Sequence, residues 1–190
     1  MRKGNKLKYL KIIILMMLIS SAHANEKMSL EEYCQSNPCR NNLKITLNQK
    51  DGSIYDKTFK ILPPAVQPSF ISIYAGETIY VEAKEGEDAP MELIQVKTIQ
   101  NPERTIVFKF EQQKETGDGK SMLLTVKNPF SKAIRYNMGM MPLDRERLLK
   151  TSSCPVRAGL SVFENWPFPI FQIVVANIHF QKEDDDGSCK

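Results

Sequence analysis

The stretch SFISIYAGETIYVEA, Ser69 to Ala83, decides the class of fold. Apolar and polar residues alternate on both sides of Ala75-Gly76-Glu77, and β-branched and aromatic side chains dominate. Alternation places every second side chain on one face of an extended chain, so each half reads as a strand. With Gly76 supplying the turn, the two halves are predicted to pair as a hairpin.

The same signature continues in both directions. LKITL (Leu43 to Leu47), a KDG turn (Lys50 to Gly52) and IYDKTF (Ile54 to Phe59) read as an earlier hairpin. LPPAVQP (Leu62 to Pro68) interrupts regular structure, because proline brings no donor to a ladder. Further on, MELIQVKTI (Met91 to Ile99), RTIVFKF (Arg104 to Phe110), SMLLTVKN (Ser121 to Asn128), KAIRYNMGM (Lys132 to Met140) and FQIVVANIHF (Phe171 to Phe180) all read as strands. EGEDAP (Glu85 to Pro90) and KETGDGKS (Lys114 to Ser121) are polar loops. Two segments depart from period two. MSLEEYCQ (Met28 to Gln35) has Ser29 and Glu32 at capping-box spacing, which predicts a short helix. MPLDRERLLK (Met141 to Lys150) spaces its charges and leucines as one helical turn would.

Short strands without βαβ alternation predict an all-β, antiparallel, immunoglobulin-like β-sandwich with a short N-terminal helix. A small closed β-barrel is the alternative. VKNPFSKAIRYNM (Val126 to Met138) suits two strands joined at a tight Asn-Pro corner, a pattern similar to that of immunoglobulin-like sandwiches. The Cys-Trp-Cys spacing of antibody-type domains is missing. No fixed-period repeat suggests a propeller or solenoid.

The N-terminus carries an address. Arg2, Lys3, Lys6, Lys8 and Lys11 precede the apolar run Ile12 to Ile19, and Ala22-His23-Ala24 ends the segment. Basic start, short apolar core and small-x-small end predict a signal peptide over 1–24, cleaved after Ala24. The run is too short to span a bilayer, which takes about 20 apolar residues. The remaining 25–190 are predicted to form one domain with no membrane span, periplasmic or secreted. The whole chain is formally +4, but removing those five basic residues leaves 21 basic against 22 acidic. Its basicity therefore belongs to the leader, and nucleic-acid binding loses its electrostatic support.

Four cysteines remain: Cys34, Cys39, Cys154 and Cys189. An even count in an oxidising compartment predicts disulfides. Cys34–Cys39 and Cys154–Cys189 are the favoured pairs, the second tying down the C-terminal tail; the rival pairings staple the N-terminal segment to the C-terminal half. Four residues separate Cys34 and Cys39, so the redox Cys-x-x-Cys motif is absent.

Catalytic chemistry finds little support. Of two histidines, His23 leaves with the leader and His179 lies in a strand, and no Gly-x-Ser-x-Gly motif occurs. GDGKS (Gly117 to Ser121) lacks the spacing of a phosphate loop. KEDDDGS (Lys182 to Ser188) lacks EF-hand spacing and reads as a solvated acidic terminus. NMGMM (Asn137 to Met141) offers an alternative metal site, with Met138, Met140 and Met141 as thioether ligands for Cu(I) and His179 beside them. Methionines two apart on a strand fill a core equally well.

FENWPFPIFQ, Phe163 to Gln172, holds the only tryptophan. Phe163, Trp166 and Phe168 are the candidate binding surface, since rigid aromatics give contact area at low entropy cost. Closing one end of the core is the competing and favoured role for Trp166 and Phe168. The span Ser153 to Phe180, with SCPV, FENWPFPI and the later Cys189, resembles small exported bacterial proteins without an assigned activity. The resemblance implies a Gram-negative periplasmic setting and transfers no site residues. The expected function is thus a non-enzymatic binding or accessory protein, without a cofactor, that meets another protein or a cell-envelope component. A copper-binding protein and an enzyme whose carboxylates converge only in the fold are the alternatives.

Overall fold

A computed structural model describes residues 28–84, 91–113, 120–182 and 184–190. The predicted signal peptide over 1–24, the EGEDAP loop and most of KETGDGKS lie outside the described residues. The protein is an all-β antiparallel sandwich with one short helix. Helix α1 (Leu30–Ser36) begins at the predicted capping box: Glu32 N–H donates to Ser29 Oγ, and Ser29 N–H donates to the Glu32 carboxylate. The strands are β1 (Arg40–Asn48), β2 (Ile54–Leu62), β3 (Val66–Gln67), β4 (Phe70–Tyr74), β5 (Thr78–Lys84) and β6 (Glu92–Val96). They continue with β7 (Thr105–Gln112), β8 (Met122–Lys127), β9 (Ile134–Pro142), β10 (Leu149–Thr151), β11 (Ser161–Trp166) and β12 (Ile170–Phe180).

Two five-stranded sheets pack face to face, one ordered β10-β9-β12-β4-β3 and the other β11-β8-β7-β5-β6. Ile71, Ile73, Ile134, Ile173 and Val175 of the first sheet and Ile106, Phe108, Phe110, Leu124 and Val126 of the second are completely buried. They belong to one continuous core. These are the apolar positions of the period-two pattern, so the sequence pattern and the buried faces coincide.

Ser69 to Ala83 is two strands as read, but they do not pair with one another. β4 lies between β12 and β3, whereas β5 lies between β7 and β6. The AGE segment is an arch from one sheet to the other. Ala75 N–H donates to Phe171 O of β12, and Gly76 N–H to Phe110 O of β7. Glu77 O accepts from Phe110 N–H, and Gly76 sits at φ +93°, where L side chains are strained. Alternation states which face of a strand is apolar and says nothing about its neighbour. MPLDRERLLK also departs from expectation, giving a turn and β10 in place of a helical turn. The Asn128 corner between β8 and β9 does form: its buried amide donates to Lys132 O, Val156 O and Arg157 O and accepts from Phe130 N–H.

The β1–β2 hairpin forms a separate two-stranded sheet laid against β4 and β12. Tyr55 and Phe59 set their rings on Phe171, at 6.0 and 5.7 Å between centroids. Arg40 is the polar fastener. Its guanidinium pairs with Glu77 at 2.7 Å, donates to the Ser72 carbonyl and hydroxyl, and lies 4.9 Å from the centre of the Tyr74 ring. This cover explains why β4 is buried on both faces.

Burial pushes the Glu77 carboxyl above its ordinary value, with the Arg40 charge and the Tyr74 N–H pulling it back. The folded protein then holds that proton to higher pH than the unfolded chain does. The contribution of Glu77 to stability is therefore fullest below its unfolded value and declines as pH rises through its folded one. Denaturant titrations at a series of pH values from acid to neutral should show this component in the native protein and its loss in Glu77→Gln. Identical pH profiles for the two proteins would refute it.

Both favoured disulfides are present, Cys34–Cys39 and Cys154–Cys189, with Cα separations of 5.4 and 4.1 Å. The second closes an anchored tail. Ser153 and Lys190 exchange backbone hydrogen bonds at 2.8 and 3.0 Å. The Arg135 guanidinium, buried on β9, pairs with Asp185, reaches Asp186 at 3.7 Å and donates to Ser188 O at 3.0 Å. The expectation of a solvated acidic terminus is corrected in part. Asp186 is exposed, but the Asp185 side chain is only 13% exposed, because a buried cation on β9 draws it in.

Candidate functional site

The aromatic cluster Phe163 to Gln172 straddles the step from β11 to β12, and the strand alternation divides it. Phe163 points out of the sandwich and is 65% exposed. Trp166, three residues on, is on the inner face of the same strand. It is buried, edge-on to Phe110 at 6.4 Å, with its indole N–H 3.4 Å from Thr151 Oγ1. Phe171 supports the β1–β2 hairpin instead. The three candidate binding residues thus do not form one surface; Trp166 belongs to the core.

Phe168 has a different role. Pro167 and Pro169 carry the chain between sheets, and the Pro169 carbonyl accepts from Leu143 N–H at 3.2 Å. The half-buried Phe168 side chain then forms one wall of a cleft of about 490 Å³. The β1–β2 turn also lines it, with Gln49, Lys50 and Asp51. The end of β9 and its following loop supply Met140, Pro142, Leu143, Asp144 and Arg145, and Leu149 comes from β10. Such a volume lies within the range of small-ligand sites, which combine an apolar lining with a few polar groups.

The charges are placed unevenly. Lys50 Nζ lies 5.5 Å from the centre of the Phe168 ring, and Lys120 Nζ donates to the Lys50 carbonyl and braces the turn. Asp51 is engaged within the turn, its Oδ1 accepting from Ser53 N–H and Oγ–H at 2.9 and 2.7 Å. Those bonds hold its carboxyl below the ordinary value. Neither the Lys50 ammonium nor the Arg145 guanidinium meets a carboxylate among the described residues. Asp144 is the remaining acid at the rim. An apolar floor beside two cations without acidic partners suits an apolar group that ends in an anion.

The methionines and His179 do not converge. Met138 and Met140 stand opposite Val175 and Ile173, on the core side of β9, with Met138 buried. Met141 stands opposite Gln172 on the other face, while His179 is level with Arg135, roughly 10 Å along the strand from Met138. His179 Nδ1 is 2.7 Å from Asn177 O, at a bulge where Asn177 takes φ +54°. Among the described residues, no three His, Cys, Asp or Glu side chains are grouped as metal ligands.

Lys50, Leu143, Arg145 and Leu149 were not legible as site residues. They come from turns far apart in sequence, and their local patterns announce only a hairpin and a helical turn. Comparison with known proteins adds no relative: no family model, curated protein or solved structure matches the chain.

Proposed function

We propose that the protein is an exported, non-enzymatic binding protein of the bacterial periplasm whose ligand seats in the cleft beside Phe168. The observation that carries this reading is the Lys50 ammonium set over the Phe168 ring at the mouth of an apolar cleft. The occupant is the apolar, acid-bearing end of a cell-envelope component or of a protein partner. Its apolar part lies against Met140, Leu149 and Phe168, and its anion faces Lys50 and Arg145. Two disulfides accord with an oxidising compartment, and among the described residues no helix is long and apolar enough to cross a membrane. The reading as an exported protein also draws on the leader pattern of residues 1–24.

Anilinonaphthalene sulfonate, an aromatic anion, serves as the test ligand. It should bind at one saturable site, and Phe168→Ala should weaken binding about tenfold through lost ring contact and cation–π support. Lys50→Met should weaken it as well and melt as the native protein does, while Phe168→Ala, half-buried against the core, should melt lower yet still cooperatively. A fluorescence titration showing equal binding by all three proteins would exclude the cleft.

A further inference from the structure

We infer that Gln112 is a positioning residue of the cleft, a role that rests on the cleft being the binding site. Its carboxamide docks on the edge of β1 as a neighbouring strand would, and so fixes the turn that holds Lys50 over the Phe168 ring.

Gln112 is the last residue of β7, at the end of the buried apolar phase Ile106, Phe108, Phe110. Its register partner is Met122 of β8, which is fully buried, so both side chains lie on the core side of the sheet. A glutamine in that phase must find partners for both ends of its amide. Its Oε1 accepts from Asn48 N–H at 2.8 Å, and its Nε2 donates to Asn48 O at 3.0 Å and reaches Lys120 O at 3.4 Å.

The Asn48 backbone meets this amide because of the hairpin's own ladder. Gln49 N–H donates to Ser53 O at 2.8 Å, and bonds alternate along an antiparallel pair. The residue before it, Asn48, stands opposite Ile54 and therefore turns its N–H and C=O away from β2, toward the edge. A carboxamide carries the same donor and acceptor as a peptide group. Gln112 thus supplies one rung of a ladder on a side of β1 where no strand of the described residues pairs.

That rung sets where the turn sits. β1 and β2 share no backbone ladder with either five-stranded sheet. The rings of Tyr55 and Phe59 on Phe171 hold the hairpin's face, but apolar burial is non-directional and fixes no register. Two hydrogen bonds to one residue fix both distance and register. Lys50 is two residues beyond Asn48, and its ammonium lies 5.5 Å from the centre of the Phe168 ring. Lys120 Nζ, donating to Lys50 O at 3.2 Å, braces the same turn. With the turn held before binding, the ammonium is ordered in advance and a ligand anion meets it at lower cost.

Gln112→Met keeps the length and bulk of the side chain and removes the carboxamide. In titrations of the full mature chain with anilinonaphthalene sulfonate it should weaken binding about fivefold. Combined with Lys50→Met it should bind no more weakly than Lys50→Met alone, because a lysine that is absent cannot be positioned. Without any ligand, amide exchange should show the Asn48 N–H protected in the native protein and unprotected in Gln112→Met, with the amides of β7 and β12 alike in both. Native binding by Gln112→Met, while Lys50→Met and Phe168→Ala weaken it, would remove the role of Gln112 and leave the cleft standing. Losses that add in the double variant would mean that Gln112 acts other than through Lys50, and would overturn the inference. An Asn48 amide equally protected in both proteins would overturn it too, whatever the ligand does. Equal binding by every variant would exclude the cleft itself, and this role with it.

Discussion

Asp185→Asn should lower the stability of the folded protein by about 3 kcal/mol, because it strands a buried cation. The Arg135 side chain is only 8% exposed, and Asp185 is its nearest carboxylate. Asp186 and the Ser188 carbonyl remain within reach, which places the loss at the lower end of the range for a broken buried pair. The pair itself is worth less than its breakage, since both charges were taken from water to form it. Arg135→Leu combined with Asp185→Asn should therefore cost much less than Asp185→Asn alone. Denaturant titration of the four proteins of this cycle, followed by emission of the single tryptophan, measures the difference. If the double variant is as unstable as the sum of the singles, Arg135 and Asp185 are not coupled, and the tail is held by Cys154–Cys189 and the Ser153–Lys190 backbone bonds without this pair.

Trp166→Ala should destabilise by roughly 3–5 kcal/mol, whereas Phe163→Ala should stay within about 0.5 kcal/mol. The two aromatics are three residues apart on one strand. Trp166 is buried against Phe110, and removing it leaves a cavity that the surrounding sheet positions fill only in part. Phe163 has solvent on most of its surface, so its removal leaves no cavity. Circular dichroism melts of dilute protein separate the two without relying on tryptophan emission. Equal losses would mean that β11 does not divide the cluster between core and surface.

Much of this architecture is visible in short range patterns. Ser29 and Glu32 announce α1 because a capping box is closed within three residues. The period-two segments announce the strands and, through their apolar positions, the core. Failures occur where a partner must be known. Ser69 to Ala83 reads as a hairpin because two strands with a tight turn look alike whether they pair or arch between sheets. Met141 to Lys150 reads as helical from the spacing of its charges and leucines, whereas Leu143 and Leu149 line a cleft that the distant β1–β2 turn completes. Asp185 reads as solvated because Arg135, which draws it in, lies fifty positions earlier.

By itself, then, the sequence determined that this chain would be β-rich, capped by one helix and closed by disulfides. The strands and the helix depend on side chains a few residues apart, where backbone geometry sets the spacing, and the disulfides on an even count of cysteines. Only the tertiary structure decided that Trp166 is core, Phe163 is surface and Phe168 is a cleft wall. Burial is a property of what the rest of the chain brings alongside, and three neighbouring aromatics were divided by the strand pleat and by one step between sheets.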